Sequence, residues 1–587
     1  MKLESLPNEI VLILFENFSL FELFQYFRGL NSRFSNLLYQ EFYKFQLDLR
    51  SLSKTRFEQI CQAYVPSIRN QIVSIHLSND SETPQAIQLF LSQGYKLRQF
   101  IHLAALLISN LPSKEAVDEI MNECSHLSHL RHLTIEGIAA VSENDKQNVF
   151  NQVWSLPKLE SVRLSISSSA GSFCNSTVIS KSLKYLNIQQ NTYSLATFAD
   201  LCHHTPNLRH LSGSFTVEYY ESQILKPINS ITRLNIAFQG CENMFEHVLE
   251  NLPNLYQLRC DLNDYISGYQ WENIIRKSLP KLKIFQMKMR FSPSDNPDKE
   301  EQLNELISPY RTNFWINEHQ WFVRCHWYTI DEKIDQFGII DLFTVPDSLD
   351  RFWEHNICLL AKSTAPYDDE YLQCPRITSL RYGSLSLRDP ILSRCRFNNI
   401  DYLLLSLPCD EQLFCIVPKF DRLRSLFVYT DKSKNLNNIQ FQLQLILDKA
   451  PRLHSLEFTT WSRDDSKTPL AGLHNASVHR LNLVRLNFNG QNYHFDEQEC
   501  MELCLSPLGA QCETLIITIK NKRNILTLIN NMPHLRSLHV RSLDHYWPTI
   551  GSVSSPTEVL VQWLRQQLPS TCTVTVDNSL GIYVWIG

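Results

Sequence analysis

The chain has 587 residues, with 55 Lys+Arg against 60 Asp+Glu and a formal net charge of −5; this suits several domains or one repeat array and carries no basic signature of a nucleic-acid binder. Its 16 cysteines are scattered without a Cys-x-x-Cys pair, so buried free thiols in a reducing compartment are expected rather than disulfides. Its 15 glycines leave little room for Gly-rich phosphate loops, and no apolar run is long enough to span a membrane. The expected setting is cytoplasmic and/or nuclear, away from any membrane.

Ser5 to Tyr39 reads as three short helices. Pro7 suits a first turn, where its missing N–H costs nothing. The first helix would run to about Asn17 and carry Ile10, Ile13, Leu14 and Phe18 on one face, at spacings of three and four. Ser19 and Glu22 form a capping box that opens a second helix with Leu23, Phe24 and Phe27, and Gly29 ends it. Asn31 and Ser32 start a third, with Phe34, Leu37 and Leu38 inward. So short a segment cannot hide all its large apolar side chains. Some must lie against the rest of the chain or against a second protein. Behind it, Phe42, Phe45, Leu47 and Leu49 predict a packed, fairly rigid junction rather than a tether.

From there a phrase recurs: apolar-x-x-apolar-x-apolar. It reads LRHLTI at Leu130, LESVRL at Leu159, LKYLNI at Leu183, LRHLSG at Leu208, ITRLNI at Ile231, LYQLRC at Leu255 and LKIFQM at Leu282. It resumes as ITSLRY at Ile377, IDYLLL at Ile400, LRSLFV at Leu423, LHSLEF at Leu453, LVRLNF at Leu483, CETLII at Cys512 and LRSLHV at Leu535. IVSIHL at Ile72 is an earlier copy and LRQFIH at Leu97 a weaker one. Most starts lie about 23 to 30 residues apart, close to the leucine-rich-repeat period. Each phrase alternates like a half-buried strand. Ala196–Cys202, Cys241–Asn251, Gln440–Lys449 and Asp496–Leu505 read as helices between strands. Strand plus helix per turn predicts a parallel horseshoe whose repeats bury one another's apolar faces.

About 95 residues separate Leu282 from Ile377, room for three further repeats. Trp321, Val323, Cys325 and Trp327 alternate like a strand with one apolar face, and Asp341–Pro346 reads as another. A degenerate repeat pair packing its aromatics into the common core is favoured over an exposed aromatic patch. Pro556–Leu568 reads as a helix with Val559, Leu560 and Trp563 inward. Thr571–Val576 and Ile582–Ile586 complete a C-terminal cap. The expected division is 1–45, three helices; 46–70, helical junction; 71–290 and 376–550, two halves of the repeats; 291–375, aromatic-rich insertion or degenerate repeats; 551–587, cap.

No G-x-S-x-G, H-E-x-x-H or G-x-x-x-x-G-K-[ST] motif is present. Cys202-His203-His204 has no second pair at zinc spacing, and Cys500 with Cys504 suits a helix core. No enzyme, metal or cofactor is expected. What the chain offers is a surface. The residue after each phrase's second apolar position points away from the core: Thr134, Arg163, Asn187, Ser212, Asn235, Arg259 and Gln286, then Arg381, Leu404, Phe427, Glu457, Asn487, Ile516 and His539. Arg163, Arg259, Phe427, Glu457 and His539 are the candidate contacts to a protein substrate, and Glu457 argues against a continuous basic stripe for nucleic acid.

Leu6-Pro7, Glu9-Ile10, Phe15, Phe18, Leu23, Phe27, Leu30-Asn31, Phe34 and Leu37 resemble an F-box. Leu30 stands where valine is common, and no tryptophan follows Phe34. The phrases resemble the irregular, helix-rich leucine-rich repeats found behind such a module. The fold class expected is therefore α/β: a three-helix F-box followed by an irregular leucine-rich-repeat horseshoe. The resemblance implies a substrate-recognition subunit of an SCF-type ubiquitin ligase. Leu6, Pro7, Ile10, Phe15, Phe18, Leu23 and Phe27 would form or support an interface with a Skp-family adaptor, and through it a cullin–RING scaffold. The alternative is a leucine-rich-repeat interaction scaffold with no ligase role.

Overall fold

The computed structural model describes residues 3–18, 20–39, 45–111, 113–138, 143–166, 177–216, 227–293, 298–329, 338–345, 351–353, 357–366, 377–383, 396–430, 436–460, 470, 472–484, 494–542, 556–576 and 581–587. The chain divides into two compact units. One holds Met1–Ile224 with Thr571–Thr575 and Trp585–Gly587; the other holds Leu225–Ser570 with Val576–Val584.

The first unit opens with helices α1 (Asn8–Phe15), α2 (Leu20–Phe27) and α3 (Ser32–Leu38). Gly29 takes a positive φ after α2, and the Asn31 side chain accepts the Phe34 N–H at the start of α3, both as the residue types require. Ser19 lies outside the described residues, so the capping box read there has no structural counterpart to compare. Seven parallel strands follow in sequence order: β1 (Phe45–Asp48), β2 (Ile72–Ser78), β3 (Ala105–Ser109), β4 (His132–Ile138), β5 (Ser161–Ile166), β6 (Tyr185–Ser194) and β7 (His210–Thr216). The second apolar position of each phrase stacks in register: Leu106, Leu133, Val162, Leu186 and Leu211, all buried. This is the core that no single repeat could close.

Two expectations shift here. The phrase at Leu97 is not a strand: Leu97–Gln99 is a 3₁₀ turn, and the strand follows LAALLI at Leu103. LRQFIH has a histidine in its third apolar position, whereas Leu103, Leu106 and Ile108 fill all three and are buried. The segment between the helices and the repeats also holds a strand of its own, β1, whose alternating burial lets it pair with β2. Beyond it, Ser53 caps α4 (Lys54–Gln59) through the Arg56 N–H. The C-terminal residues of this unit pack on α4. The Lys54 ammonium donates to the Thr571 carbonyl, and Phe57 meets Trp585 edge-on at 5.5 Å.

The second unit begins with parallel strands β8 (Arg233–Gln239), β9 (Gln257–Leu262) and β10 (Ile284–Phe291). The long interruption then changes the topology. A helix, Lys299–Ile307, is capped by Asp298, and a wide turn, Phe314–Glu318, follows. Strands β11 (Phe322–Thr329), β12 (Gly338–Val345) and β14 (Ile357–Ser363) are antiparallel, in the order β10-β12-β11-β14. The strand-plus-helix pattern of the repeats thus gives way here to antiparallel pairing. Residues 330–337 are too few for a crossover, which takes a dozen or more. The expectation that the aromatics enter a core holds for Trp315, Phe322 and Trp327, all buried. Val323 and Cys325 are buried with them, but so are Arg324 and His326 on the opposite face, so the strand is covered on both sides.

That cover has a pH consequence. Burial, helped by Arg324, lowers the His326 imidazole to about 3, and Asp341, held by Arg290, lies opposite it across β11 and β12. The folded state keeps His326 neutral while the unfolded chain protonates near pH 6.5. The associated stability is full above pH 6.5 and falls as pH drops towards 3, by at most about 1.4 kcal/mol per pH unit. Urea melts between pH 7 and 4.5 are expected to lose this slope in His326→Gln.

The second sheet of this unit starts with β13 (Arg351–Trp353) and runs through β15 (Ser379–Tyr382), β16 (Tyr402–Leu407), β17 (Ser425–Thr430), β18 (Ser455–Thr460), β19 (Arg480–Asn482), β20 (Thr514–Ile519) and β21 (Ser537–Ser542). Its pairs are parallel. At β19 the phrase is VHRLNL from Val478, not LVRLNF from Leu483. The two overlap and share one pattern, but the earlier one starts about 25 residues after Leu453, nearer the repeat period. The outward residue is therefore Asn482; Asn487 lies outside the described residues. The last helix, Pro556–Gln567, buries Leu560, Val561 and Leu564 and leaves Val559 42% exposed. The inward stripe thus differs from the Val559, Leu560 and Trp563 expected.

Candidate functional site

Two surfaces stand out. The first is on α1. Val11 and Phe15 turn inward, and Phe15 and Phe34 flank Phe27 at 4.8 and 5.8 Å. Leu20, Leu23, Phe24, Leu37 and Leu38 complete this small core. Ile10, Ile13 and Phe18 remain 43, 56 and 37% exposed; Leu14 is half-buried and Pro7 is open. The shared face read from spacing exists, and it looks out to solvent. α2 uses its other side to dock on the junction, where Phe24 stacks on Tyr64 at 4.8 Å and meets Phe45 at 5.9 Å. Among the adaptor-facing candidates, Pro7, Ile10 and Phe18 are exposed and Leu6 is half-buried, whereas Phe15, Leu23 and Phe27 are buried beneath them.

Arg33 of α3, a residue the sequence reading passed over, fixes the approach to α1. Its guanidinium donates to the Asn8 side chain at 2.9 Å, to the Glu4 carbonyl at 2.6 Å and to the Leu6 carbonyl. Three bonds from one planar fork hold Leu3–Ser5 and Leu6-Pro7 against α3, which a lysine point charge cannot reproduce. Charge-assisted bonds of this kind are worth about 1.5–3 kcal/mol each. Arg33→Ala is expected to speed amide exchange around residues 6–11 by about tenfold or more and to leave β2–β5 unchanged.

The second surface is the outward row of the strands. In the first unit Thr134, Arg163, Asn187 and Ser212 are register neighbours. Arg163 pairs with Glu136 at 2.9 Å and donates to Gln189 at 3.3 Å. In the second unit one row is Asn235, Arg259 and Gln286, and the other is Arg381, Leu404, Phe427, Glu457, Asn482, Ile516 and His539. The alternation rule thus put every substrate-contact candidate on its predicted row. The rows differ in cover. Leu404, Ile516 and His539 are buried, and the His539 ring stacks on Tyr583 at 4.0 Å. Glu457 is half-buried; burial pushes its carboxyl up, against the opposing pull of the Asn482 amide and Arg480. The Arg381 guanidinium sits 5.6 Å over Tyr429, which packs against Phe427 at 5.5 Å.

Sequence reasoning missed the next row of the first sheet: Ala237, Asp261 and Lys288. It lies two residues beyond the phrase position, and the alternation of Arg259-Cys260-Asp261 and Gln286-Met287-Lys288 was the available signal. With Asn235, Arg259 and Gln286 these residues line a depression of about 230 Å³.

Among the described residues no group of three or more His, Cys, Asp and Glu side chains could hold a metal ion. Burial pushes the Cys202 and Cys500 thiols up to about 12, so both pack as neutral thiols. No helix of the described residues is long and apolar enough to cross a membrane.

No family model matches the chain, and no curated protein matches it. Among solved structures, the chain is similar to one in the crystal structure of the TLR13–ssRNA13 complex, with 14% identity over 75% of this chain and 66% of that one, at a TM-score of 0.23. It is also similar to one in the yeast Rad7–Elc1 complex, with 9% identity over 81% of this chain and 89% of that one, at a TM-score of 0.22. At such scores neither likeness carries functional weight.

Proposed function

We propose that this chain is the substrate-recognition subunit of an SCF-type ubiquitin ligase. The N-terminal helices dock on a Skp-family adaptor, which joins a cullin–RING scaffold. The outward strand rows receive a protein substrate. The chain performs no bond chemistry itself; it raises the effective concentration of substrate lysines beside a ubiquitin-charged enzyme. One observation carries this reading: α1 turns Ile10 and Ile13 to solvent although Val11 and Phe15 already close the small core. An apolar face left open on a folded module suits a partner.

A second reading has an observation of its own. Phe24 stacks on Tyr64, as it would if the helices merely capped a repeat scaffold. Co-purification of a Skp-family adaptor with the full chain separates the two. The ligase reading expects a stoichiometric complex; its absence leaves the scaffold.

A further inference from the structure

The first unit separates its charges between the two ends of its strands. Towards their C-terminal ends Arg50 pairs with Asp48 at 2.7 Å, Arg163 with Glu136 at 2.9 Å and Lys114 with Asp145, and Asp80 adds a carboxylate. At the N-terminal ends of β4 to β7 the balance is reversed. The backbone N–H of Glu160 donates to the Arg131 carbonyl, that of Lys184 to Glu160 and that of Arg209 to Lys184, which sets one residue per strand in a row about 4.8 Å apart. Lys158 and Lys181 stand in the turns before β5 and β6, and the Asn207 amide donates to the Lys181 carbonyl at 2.7 Å. The carboxylates of this edge are engaged: Glu160 pairs with Lys184 at 3.3 Å, Asp200 with His204 at 3.1 Å, and Glu123 accepts the Arg98 backbone N–H at 3.4 Å. Arg209 has a partner of its own. Among the described residues the Arg131, Lys158 and Lys181 side chains make no hydrogen bond or ion pair, and all three are exposed. Helix ends do not account for Arg131 and Lys158. The preceding helices stop at Cys124 and Trp154, and a helix dipole fades within its last turn. Beside the cations runs a second row, His132, Ser161, Tyr185 and His210. Tyr185 is 43% exposed and meets His210 edge-on at 6.2 Å, so much of its ring reaches solvent.

We propose that this edge binds a single-stranded nucleic acid, with Arg131, Lys158 and Lys181 on its phosphates and Tyr185 as a stacking platform for a base. It goes beyond the ligase reading and does not rest on it. The net charge of −5 for the whole chain conceals such a surface, because the balancing carboxylates lie elsewhere. Cations repeated along successive strands suit a polymer whose charge repeats regularly. An acidic peptide would use the cations equally well but gains nothing from an exposed ring beside them, whereas every base has a π-face to lay on it. A duplex keeps its base faces stacked inside and would meet the cations alone.

The test uses the full chain and fluorescence anisotropy with labelled oligothymidine, an abasic strand of the same length, a DNA duplex and an oligo-Glu peptide. Oligothymidine is expected to bind most tightly and to weaken with salt. Arg131→Gln with Lys158→Gln and Lys181→Gln is expected to weaken it at least about tenfold at low salt. The same variant should lower the slope of log affinity against log salt by about 2, at about 0.7 for each lost phosphate contact. Tyr185→Ala is expected to weaken oligothymidine about fivefold or more, the loss of one stacked base, and to leave the abasic strand unchanged; a merely structural role for the ring would move both alike. Arg50→Gln, at the other end of the strands, is expected to change neither. All the substituted side chains are exposed, and melting temperatures check that each variant stays folded. Absence of salt-dependent oligothymidine binding, or binding that survives the triple variant, overturns the proposal. So does an oligo-Glu peptide or the duplex binding as tightly as oligothymidine with Tyr185→Ala without effect, which makes the edge a general anion surface.

Discussion

Ile10→Asp with Ile13→Asp is expected to abolish adaptor binding while leaving the fold intact. Both side chains are about half exposed, so in the free chain a carboxylate at either position stays in water and costs little. In the proposed complex both become buried. Burying the exposed half of two isoleucines is worth about 1 kcal/mol each, and burying unpaired carboxylates costs several more. Together these weaken binding by about two orders of magnitude or more. Val11→Ala is the informative control. Val11 is 1% exposed, so its truncation costs about 1–3 kcal/mol of local stability and affects docking only through the fold. Calorimetric titration paired with thermal melts of each variant reads the two effects separately. Full binding by the double aspartate variant would mean that this face is not the interface.

The second large effect lies in the interruption. Trp315→Ala is expected to cost the second unit about 3–5 kcal/mol, the range for a fully buried large aromatic. Trp315 is completely buried, and its indole N–H donates to the Gly268 carbonyl at 3.1 Å. Its ring lies 4.9 Å from Tyr310, 5.3 Å from Phe314 and 5.8 Å from Phe285. Tyr310 in turn donates to the Ile266 carbonyl at 2.5 Å. The 3₁₀ turn Ser308–Arg311 and the start of the helix Gly268–Ser278 press together so closely that a Cβ on Gly268 would come within 2.4 Å of the Pro309 carbonyl oxygen. Removing the indole therefore leaves a void and takes one hydrogen bond from the Gly268 carbonyl, at the first turn of its helix. Urea unfolding followed by amide protection in β9 and β10 measures the loss. Trp315→Phe keeps part of the packing and none of the hydrogen bond, so it should fall between. A change below about 1 kcal/mol for the alanine variant would contradict the packing described, since that is the level of ordinary surface substitutions.

The two surfaces were legible to different depths. The strand rows could be read because the period of two is strict: once Leu133 and Val162 face the core, Thr134 and Arg163 must face away. The period across repeats was readable for the same reason. It failed where pattern alone admits two registers, as at Val478 and Leu483, and where a turn buries apolar residues at the same spacing, as at Leu97 and Phe100. The antiparallel strands of the interruption were not legible as such. Phe322–Thr329 shows β-propensity, but the direction of its partner depends on connection length and on contacts distant in sequence. Arg33 was missed because its role is to donate to backbone carbonyls, which no side-chain pattern records. The outward turn of Ile10 and Ile13 was half visible. Spacing put them on one face, and only the packing of Val11 and Phe15 decided which way that face points.

Hydrogen exchange of the full chain, alone and with a purified Skp-family adaptor, reads directly whether α1 is the docking face. Adaptor docking on α1 is expected to slow exchange only in α1 and the turns flanking it, within residues 3–18, with the strand rows of both units unchanged. An unaltered exchange map in the presence of saturating adaptor, or protection on the strand rows instead of α1, would contradict it.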